Sequence, residues 1–489
     1  MRSDPPHRLG PAALDRGAAA PLAGQLYQRI CAAIADGRLA GGDRLPSARG
    51  LAVQLGVARG TVDAAYARLA GEGYLLARGP AGTIVSPDLR PGVGVPAPEA
   101  PDRTAAPTPD PAVAPAGPVL PFRVGLPALD MFPRTVWARL TARAARRLGS
   151  AGLAYPDPAG LPALREAIAA YLAVSRGLTC RPAQVVVTGG YQAAIGLLAR
   201  LLLRAGDRVW FEEPGYYLAR RALEAVAAEI IPVSVDESGL DVDAAQARSP
   251  DARLAVVTPA HQSPLGVALS LPRRQALLAW AAAAGAWIVE DDYDSEFHYV
   301  GGKLPALKSL DAADRVIYVG SFSKTLFPGL RLGYLVLPAA LVGAVTEAVR
   351  LTNHGEVWLA QSVVAEFMSG GNFARHLRQM RGLYAARRAA LADALGAAFG
   401  PRLQLALRPG GLHLLARFPA GASAGDDSDT AMVRRALARG LAPTALSTQF
   451  IDAGQFIDAG RAQGLLLGFT NIPADQAGAM AEALRQALG

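Results

Sequence analysis

Lysine is nearly absent from this chain. Of the 49 lysines and arginines in 489 residues only three are lysine, Lys303, Lys308 and Lys324. Arginine serves wherever a fixed positive charge suffices. A retained lysine marks a task closed to guanidinium, which neither gives up its proton nor condenses with a carbonyl. Cysteine is scarce as well: Cys31 and Cys180 stand far apart in no ligand spacing, which argues against a disulfide framework or a zinc site. No apolar run approaches the roughly 20 residues that span a bilayer. The longest, such as Leu277 to Gly285, are short and Ala-rich. Met1 to Arg16 lacks the apolar stretch of a secretory leader, so the expectation is a cytoplasmic, reducing setting and no membrane partner. Strong charge of one sign is also missing, the net +8 being modest for the length. Residues 1–86 nevertheless hold ten arginines against six acids, a hint of a phosphate-binding face.

What is present divides the chain. The length suggests two or three domains. Residues 1–20 read as disordered and 21–86 as a small helical domain ending in turns. Residues 87–121 are a Pro/Ala-rich extended linker, and 122–489 form a large domain whose smaller lobe starts near 345. In the large domain short β-branched runs alternate with Ala/Leu-rich helical ones. The strands read as Val185–Thr188, Arg208–Phe211, Ile230–Val233, Leu254–Val257, Trp287–Glu290, Val316–Val319 and Leu332–Val336. That alternation predicts an α/β fold with a mainly parallel, doubly wound sheet. Beyond 345 helices dominate, with strands near Gly411–Arg417 and Gly464–Phe469, predicting a small α+β lobe. Phe450–Gly454 is repeated at once as Gln455–Gly460, a local duplication too short for a solenoid.

In the first domain Gln25–Asp36 is an amphipathic helix with Leu26, Ile30, Ala33 and Ile34 on one face. Ser47 caps a short helix Ala48–Leu55, Gly56-Val57 turns the chain, and Ala58–Gly71 is a third helix. Two short helices across a Gly turn suit a helix-turn-helix, whose second member lies in the major groove. Arg59 and Thr61 stand near its start, where side chains reach base edges and phosphates. Tyr74–Arg78 and Thr83–Val85 pair as a hairpin wing around Gly79–Gly82. The run Asp36–Val85, DGRLAGGDRLPSARGLAVQLGVARGTVDAAYARLAGEGYLLARGPAGTIV, resembles the GntR-type winged helix-turn-helix. By that resemblance Arg49, Arg59 and Thr61 touch double-stranded operator DNA and Gly82 sits at the wing tip. Gly60 departs from relatives that carry a polar residue there, removing one possible base contact.

The large domain offers the groups that a pyridoxal 5′-phosphate site needs: a lysine for the aldehyde, an acid for the ring nitrogen and donors for the phosphate. Lys324 follows a strand, in Ser321-Phe-Ser-Lys324. Lys303 and Lys308 fall in a polar loop and read as surface residues. Ser321, Ser323 and Arg331 are phosphate donors by type. Thr188-Gly-Gly190-Tyr191-Gln192 joins a strand to a helix and presents free backbone N–H groups to an anion. Asp291 can hold a ring nitrogen protonated, Tyr293 can reach the ring oxygen, and Tyr216 can stack on the ring. Each feature alone has a structural explanation; their order along the chain is what carries weight.

The strings TPAHQSPLG (258–266), EDDYDSEFHY (290–299) and RVIYVGSFSKTLFPGLRLGYLVLP (315–338) resemble fold-type-I aminotransferases. They are most similar to the domain fused to winged helices in MocR-type regulators, and HLRQMRGLYAARRAAL (376–391) is similar to a later helix of that group. The resemblance runs from about 21 to 489, the linker excepted. It implies Lys324 as the cofactor lysine, Asp291 as the pyridine partner and Tyr293 as the ring-oxygen contact. Gly190, Tyr191, Ser321, Ser323 and Arg331 would surround the phosphate. Two departures stand out. Ser263-Pro-Leu-Gly266 replaces the common Asn-Pro-Thr-Gly, and Phe469 stands where aminotransferases commonly present an arginine to the substrate carboxylate, leaving Arg408 or Arg417 as substitutes. The resemblance implies a homodimer, with a linker long enough for the head of one subunit to lie over the other's large domain. It implies a regulator that senses pyridoxal phosphate, or an amine or amino-acid effector joined to it. The alternative is a working aminotransferase that carries a DNA-binding head.

Overall fold

The computed structural model describes residues 14–18, 20–79, 82–89, 118–302, 304–418, 428–451 and 463–489. Lys303, most of residues 1–20, most of the 87–121 linker and the second copy of the short repeat lie outside them. The chain forms two compact units, Met1–Pro111 and Ala112–Gly489.

The first unit holds helices α1 (Leu22–Ala35), α2 (Ala48–Leu55) and α3 (Arg59–Gly71) and strands β1 (Leu75–Ala77) and β2 (Thr83–Val85). Helix α1 starts earlier than its periodicity predicts, because Pro21 precedes it and cannot continue a helix backwards. Its face of Leu26, Ile30, Ala33 and Ile34 is buried against Leu51, Val62, Leu69 and Leu75. Helix α2 has eight residues, too few to persist alone. Ser47 Oγ accepts from the Gly50 N–H at 3.1 Å, and Gly56 closes the helix in the left-handed region at φ 63°, the conformation glycine adopts without cost. Strands β1 and β2 pair antiparallel, Leu75 opposite Val85, as the wing.

The second unit is built on an eight-stranded sheet in the order β3-β10-β9-β8-β7-β4-β5-β6. Its strands are β3 (Val185–Thr188), β4 (Arg208–Glu213), β5 (Glu229–Asp236), β6 (Gly239–Leu240), β7 (Leu254–Val257), β8 (Trp287–Asp292), β9 (Val316–Ser321) and β10 (Gly333–Val336). Neighbours from β9 through β8, β7 and β4 to β5 are parallel. Strand β10 is antiparallel to both β9 and β3, so β3 runs with the parallel set. Strands β3, β7 and β10 are buried throughout, which is why they read as unbroken apolar runs. Several strands outrun their sequence-predicted ends: β8 continues through Asp291 and Asp292 and β9 through Ser321. Such polar residues read as loop, yet their backbones keep pairing, and Asp292 is satisfied inside the fold by Arg176 and Tyr318. The small lobe has a four-stranded sheet, β11 (Gln404–Ala406), β12 (His413–Arg417), β14 (Leu465–Gly468) and β13 (Thr444–Ala445), in that spatial order. Helices Asn372–Phe399 and Ala477–Leu488 belong to the same lobe. No helix among the described residues is long and apolar enough to cross a membrane.

Candidate functional site

Because β3, β4, β8 and β9 run the same way, the segments at their carboxyl ends share one end of the sheet, where α/β folds bind ligands. Asp291 lies at the end of β8, Ser321 ends β9 with Ser323 and Lys324 next in the chain, Gly190 and Tyr191 follow β3, and Tyr216 follows β4. The fold thus brings together residues scattered over more than a hundred positions.

Lys324 is half-buried, and its Nζ donates to the Gly125 carbonyl at 2.6 Å. Burial pulls this ammonium below its ordinary range, while the negative fields of Asp294 and Asp291 oppose the shift. A lysine must lose its proton to act as a nucleophile, and desolvation favours that form. Gly125 has φ +84°, and a Cβ there would fall 2.8 Å from Nζ, so only glycine leaves the amine its place. Burial holds the Asp291 carboxyl well above the usual range, with Asp292, Glu212 and Asp294 adding negative charge and Tyr191 working the other way. A buried acid among acids calls for a positive partner. The buried Tyr191 hydroxyl lies beside Asp291 yet makes no well-formed hydrogen bond, and the buried Gln192 Nε2 likewise has no partner. Tyr216 and Tyr191 set their rings 5.9 Å apart at 55°, and both hydroxyls are pushed up by burial. Tyr293 is also buried, and its hydroxyl lies 2.9 Å from His261 Nδ1.

The other end of the pocket suits an anion. Gly190 takes φ 89° and ψ −178° at the start of helix Tyr191–Leu202, whose first turn has no side-chain cap. That conformation is essentially confined to glycine. A Cβ on Gly190 would meet nothing nearer than the Arg331 carbonyl carbon at 4.0 Å. Ser321 Oγ accepts from the Ser323 N–H at 3.2 Å. Arg331 is exposed, at φ 51°, and its charge reaches Tyr216 and Glu356. The left-handed region costs a non-glycine residue roughly 1–2 kcal/mol, and such strain concentrates at ligand sites. The lining therefore fits a group with a cationic ring nitrogen at one end and a phosphate at the other.

One expectation is corrected. Lys308 is not a surface residue: it is buried, and its Nζ donates to the Val316 carbonyl at 2.6 Å and pairs with Asp314 at 3.3 Å. Phe469 is buried in the core against Tyr384. Arg408 is engaged by Glu237 through two bonds of 2.7 and 2.9 Å. Gly125, His261 and Asp294 carry no signal in the sequence that marks them for the pocket. His261 and Asp294 stand inside the quoted motif strings, but nothing local shows that they meet.

In the first unit Arg49 is exposed on α2, while Arg59 and Thr61 occupy the first turn of α3. Arg59 Nε lies 3.3 Å from Asp63, with the arginine side chain 70% exposed. Ala58 provides no side-chain cap, and the Thr61 N–H donates to the Ala58 carbonyl at 3.0 Å. Gly82 takes φ +91°, and a Cβ on it would lie 3.0 Å from Arg44 Nε, which places an unforeseen arginine beside the wing.

Residues 119–445 match the class I and II aminotransferase family, and residues 22–85 the bacterial regulatory gntR family. The chain is 38% identical to the probable rhizopine catabolism regulatory protein MocR of Rhizobium meliloti, over 94% of this chain and 92% of that protein. The pyridoxine biosynthesis transcriptional regulator PdxR of Corynebacterium glutamicum is 36% identical, over 86% of this chain and 87% of its own length. Among solved structures, the α-aminoadipate aminotransferase LysN of Thermus thermophilus, complexed with N-(5′-phosphopyridoxyl)-L-leucine, gives a TM-score of 0.67 at 29% identity. That match covers 76% of this chain and 92% of LysN. A winged DNA reader and an aminotransferase fold in one polypeptide, aligned along nearly their whole length with regulators of the same build, make this chain a MocR-type transcription regulator of the gntR family.

Proposed function

We propose that the large unit holds pyridoxal phosphate at Lys324, and that the cofactor, or an amine or amino acid that reacts with it, sets how the winged unit binds its operator. The observation that carries this reading is Lys324 itself, a half-buried amine held at the Gly125 carbonyl within the field of the buried Asp291 and Asp294 carboxyls. When bound, the cofactor supplies an electrophilic aldehyde carbon and a ring that stores electrons. The chain's own groups do the rest. Asp291 would pair with the ring nitrogen, Tyr216 would cover the ring and Tyr293 would meet the ring oxygen. The Gly190–Tyr191 turn with Ser321, Ser323 and Arg331 would hold the phosphate. Lys324, now held by the Gly125 carbonyl, would supply the amine for the aldehyde. A ligand shifts such an equilibrium only through its different affinity for the two states. The protein acts where its operator is, in the cytoplasm, and we take it as a homodimer.

The test is an absorbance titration of the purified protein with pyridoxal phosphate, followed by operator binding with and without it. A visible band from lysine-bound cofactor in the wild type, absent in Lys324→Ala, supports the reading; a band that survives Lys324→Ala overturns it. A second reading, a working aminotransferase with a DNA-reading head, is favoured by the likeness to LysN at 29% identity. Sustained release of a 2-oxo acid from an amino acid, with a second 2-oxo acid as acceptor, would establish it.

A further inference from the structure

Beyond the groups assigned to the cofactor, the pocket wall holds an imidazole set in a slot made for it. His261 Nδ1 has two neighbours, the Tyr293 hydroxyl at 2.9 Å and Asp294 Oδ2 at 3.2 Å. Glycines bound the ring elsewhere. A Cβ on Gly266 would fall 2.9 Å from Nε2, and one on Gly411 would fall 2.7 Å from the same atom and closer still to Cε1. Both glycines have φ in the left-handed region, at +72° and +93°. Any side chain at either position would evict the ring.

We infer that His261 and Asp294 form a positioning pair that orients the Tyr293 hydroxyl so that its proton points at the cofactor's ring oxygen. The inference rests on the pyridoxal-phosphate reading and goes one step further, to the direction of a single hydrogen bond. An imidazole nitrogen carries at most one hydrogen. Were Nδ1 bare, its lone pair would face Asp294 Oδ2 at 3.2 Å, a buried carboxylate oxygen that has no hydrogen-bond donor. The field of Asp294 therefore favours the proton on Nδ1, which donates to the Tyr293 oxygen at 2.9 Å. Ser263 lies near that same oxygen. With a lone pair engaged by His261, the phenol keeps its own O–H for the pocket. Other charged or titratable groups near the imidazole are His413 of β12, whose ring centre lies 6.2 Å away, and Arg176, His298 and Arg408, which share the adjoining cavities. Both arginines lack an acceptor, and the His413 ring is turned to the Pro264 carbonyl at 3.0 Å. Asp294 is the carboxylate that meets Nδ1 and sets its proton.

A donor aimed at the ring oxygen draws negative charge onto that atom. Without it, the proton shared within the bound cofactor's chromophore is held more tightly and leaves at higher pH. The experiment is a pH titration of the visible spectrum of the pyridoxal-phosphate-loaded full chain. His261→Leu, which cannot donate, should raise the midpoint by about one pH unit. His261→Gln, whose amide can donate to Tyr293, should restore it to near the wild-type value. In a Tyr293→Phe background His261→Leu should add no further shift. If His261→Leu fails to fold, Asp294→Asn carries the test, with a smaller shift in the same direction. An unchanged midpoint in a loaded, folded His261→Leu protein overturns the inference, as does an equal shift on the Tyr293→Phe background. Failure of the wild type to develop a visible band would instead remove the cofactor reading beneath it.

Discussion

At Lys308 the ammonium serves the fold, bridging the Val316 carbonyl and Asp314, whereas at Lys324 it sits among acids with only a carbonyl to hold. Substitution should separate the two. Lys308→Ala leaves a buried carbonyl unpaired and should lower stability by about 1–3 kcal/mol, read by denaturant melts, with cofactor binding retained. Lys324→Ala should keep the fold and lose the visible band. Glu212 gives a pH prediction. It accepts from the Thr258 N–H and hydroxyl and from Gln262, yet burial pushes its carboxyl up to about 7. A carboxyl whose folded value lies above its unfolded one favours the protonated fold. Its contribution is whole below the unfolded value and declines as pH rises to about 7. A shift of that size corresponds to about 3 kcal/mol. Glu212→Gln should therefore flatten the stability profile between about pH 5 and 8 relative to wild type, measured by chemical denaturation at each pH. An unchanged slope would mean the group is hydrated.

Helix α2 is an element whose existence depends on its ends and neighbours. Its propensity is insufficient at eight residues, and Ser47, Gly56 and the buried Leu51 and Ala52 supply what is missing. Ser47→Ala should cost about 1 kcal/mol, visible as a lower melting temperature of the first unit and weaker operator binding. Arg59→Ala should act differently. Its pair with Asp63 is exposed, and such pairs contribute only about 0–1 kcal/mol, so thermal stability should hold. Operator affinity should fall and the salt dependence of binding should lose roughly one unit of slope. Unchanged affinity would move the DNA face off the start of α3.

For the whole molecule, regulation requires that the two units be energetically coupled. Coupling is reciprocal: if pyridoxal phosphate changes operator affinity by some factor, operator DNA must change cofactor affinity by the same factor. We expect a change of about 5- to 150-fold by fluorescence anisotropy in the wild type and none in Lys324→Ala. Sedimentation equilibrium with and without cofactor would test the dimer. Equal operator affinity with and without cofactor would leave the large unit a passenger.

Sequence alone determined what depends on local spacing. The 3.6-residue face of α1, the Ser47 cap and Gly56 turn, and the alternation of strands with helices are written within a few residues of one another, and each is present in the fold. The scarcity of lysine, together with Ser321-Phe-Ser-Lys324, singled out Lys324, whose amine lies in the field of Asp291 and Asp294. Only tertiary structure decided the rest, because it concerns partners distant along the chain. Lys308 reads as polar loop until the sheet buries it. Lys324 meets Gly125 across 199 residues, and Gly411 makes room for an imidazole at position 261. Periodicity states which way a side chain faces along its own element, as it does for α1. It is silent on what chain closure sets opposite.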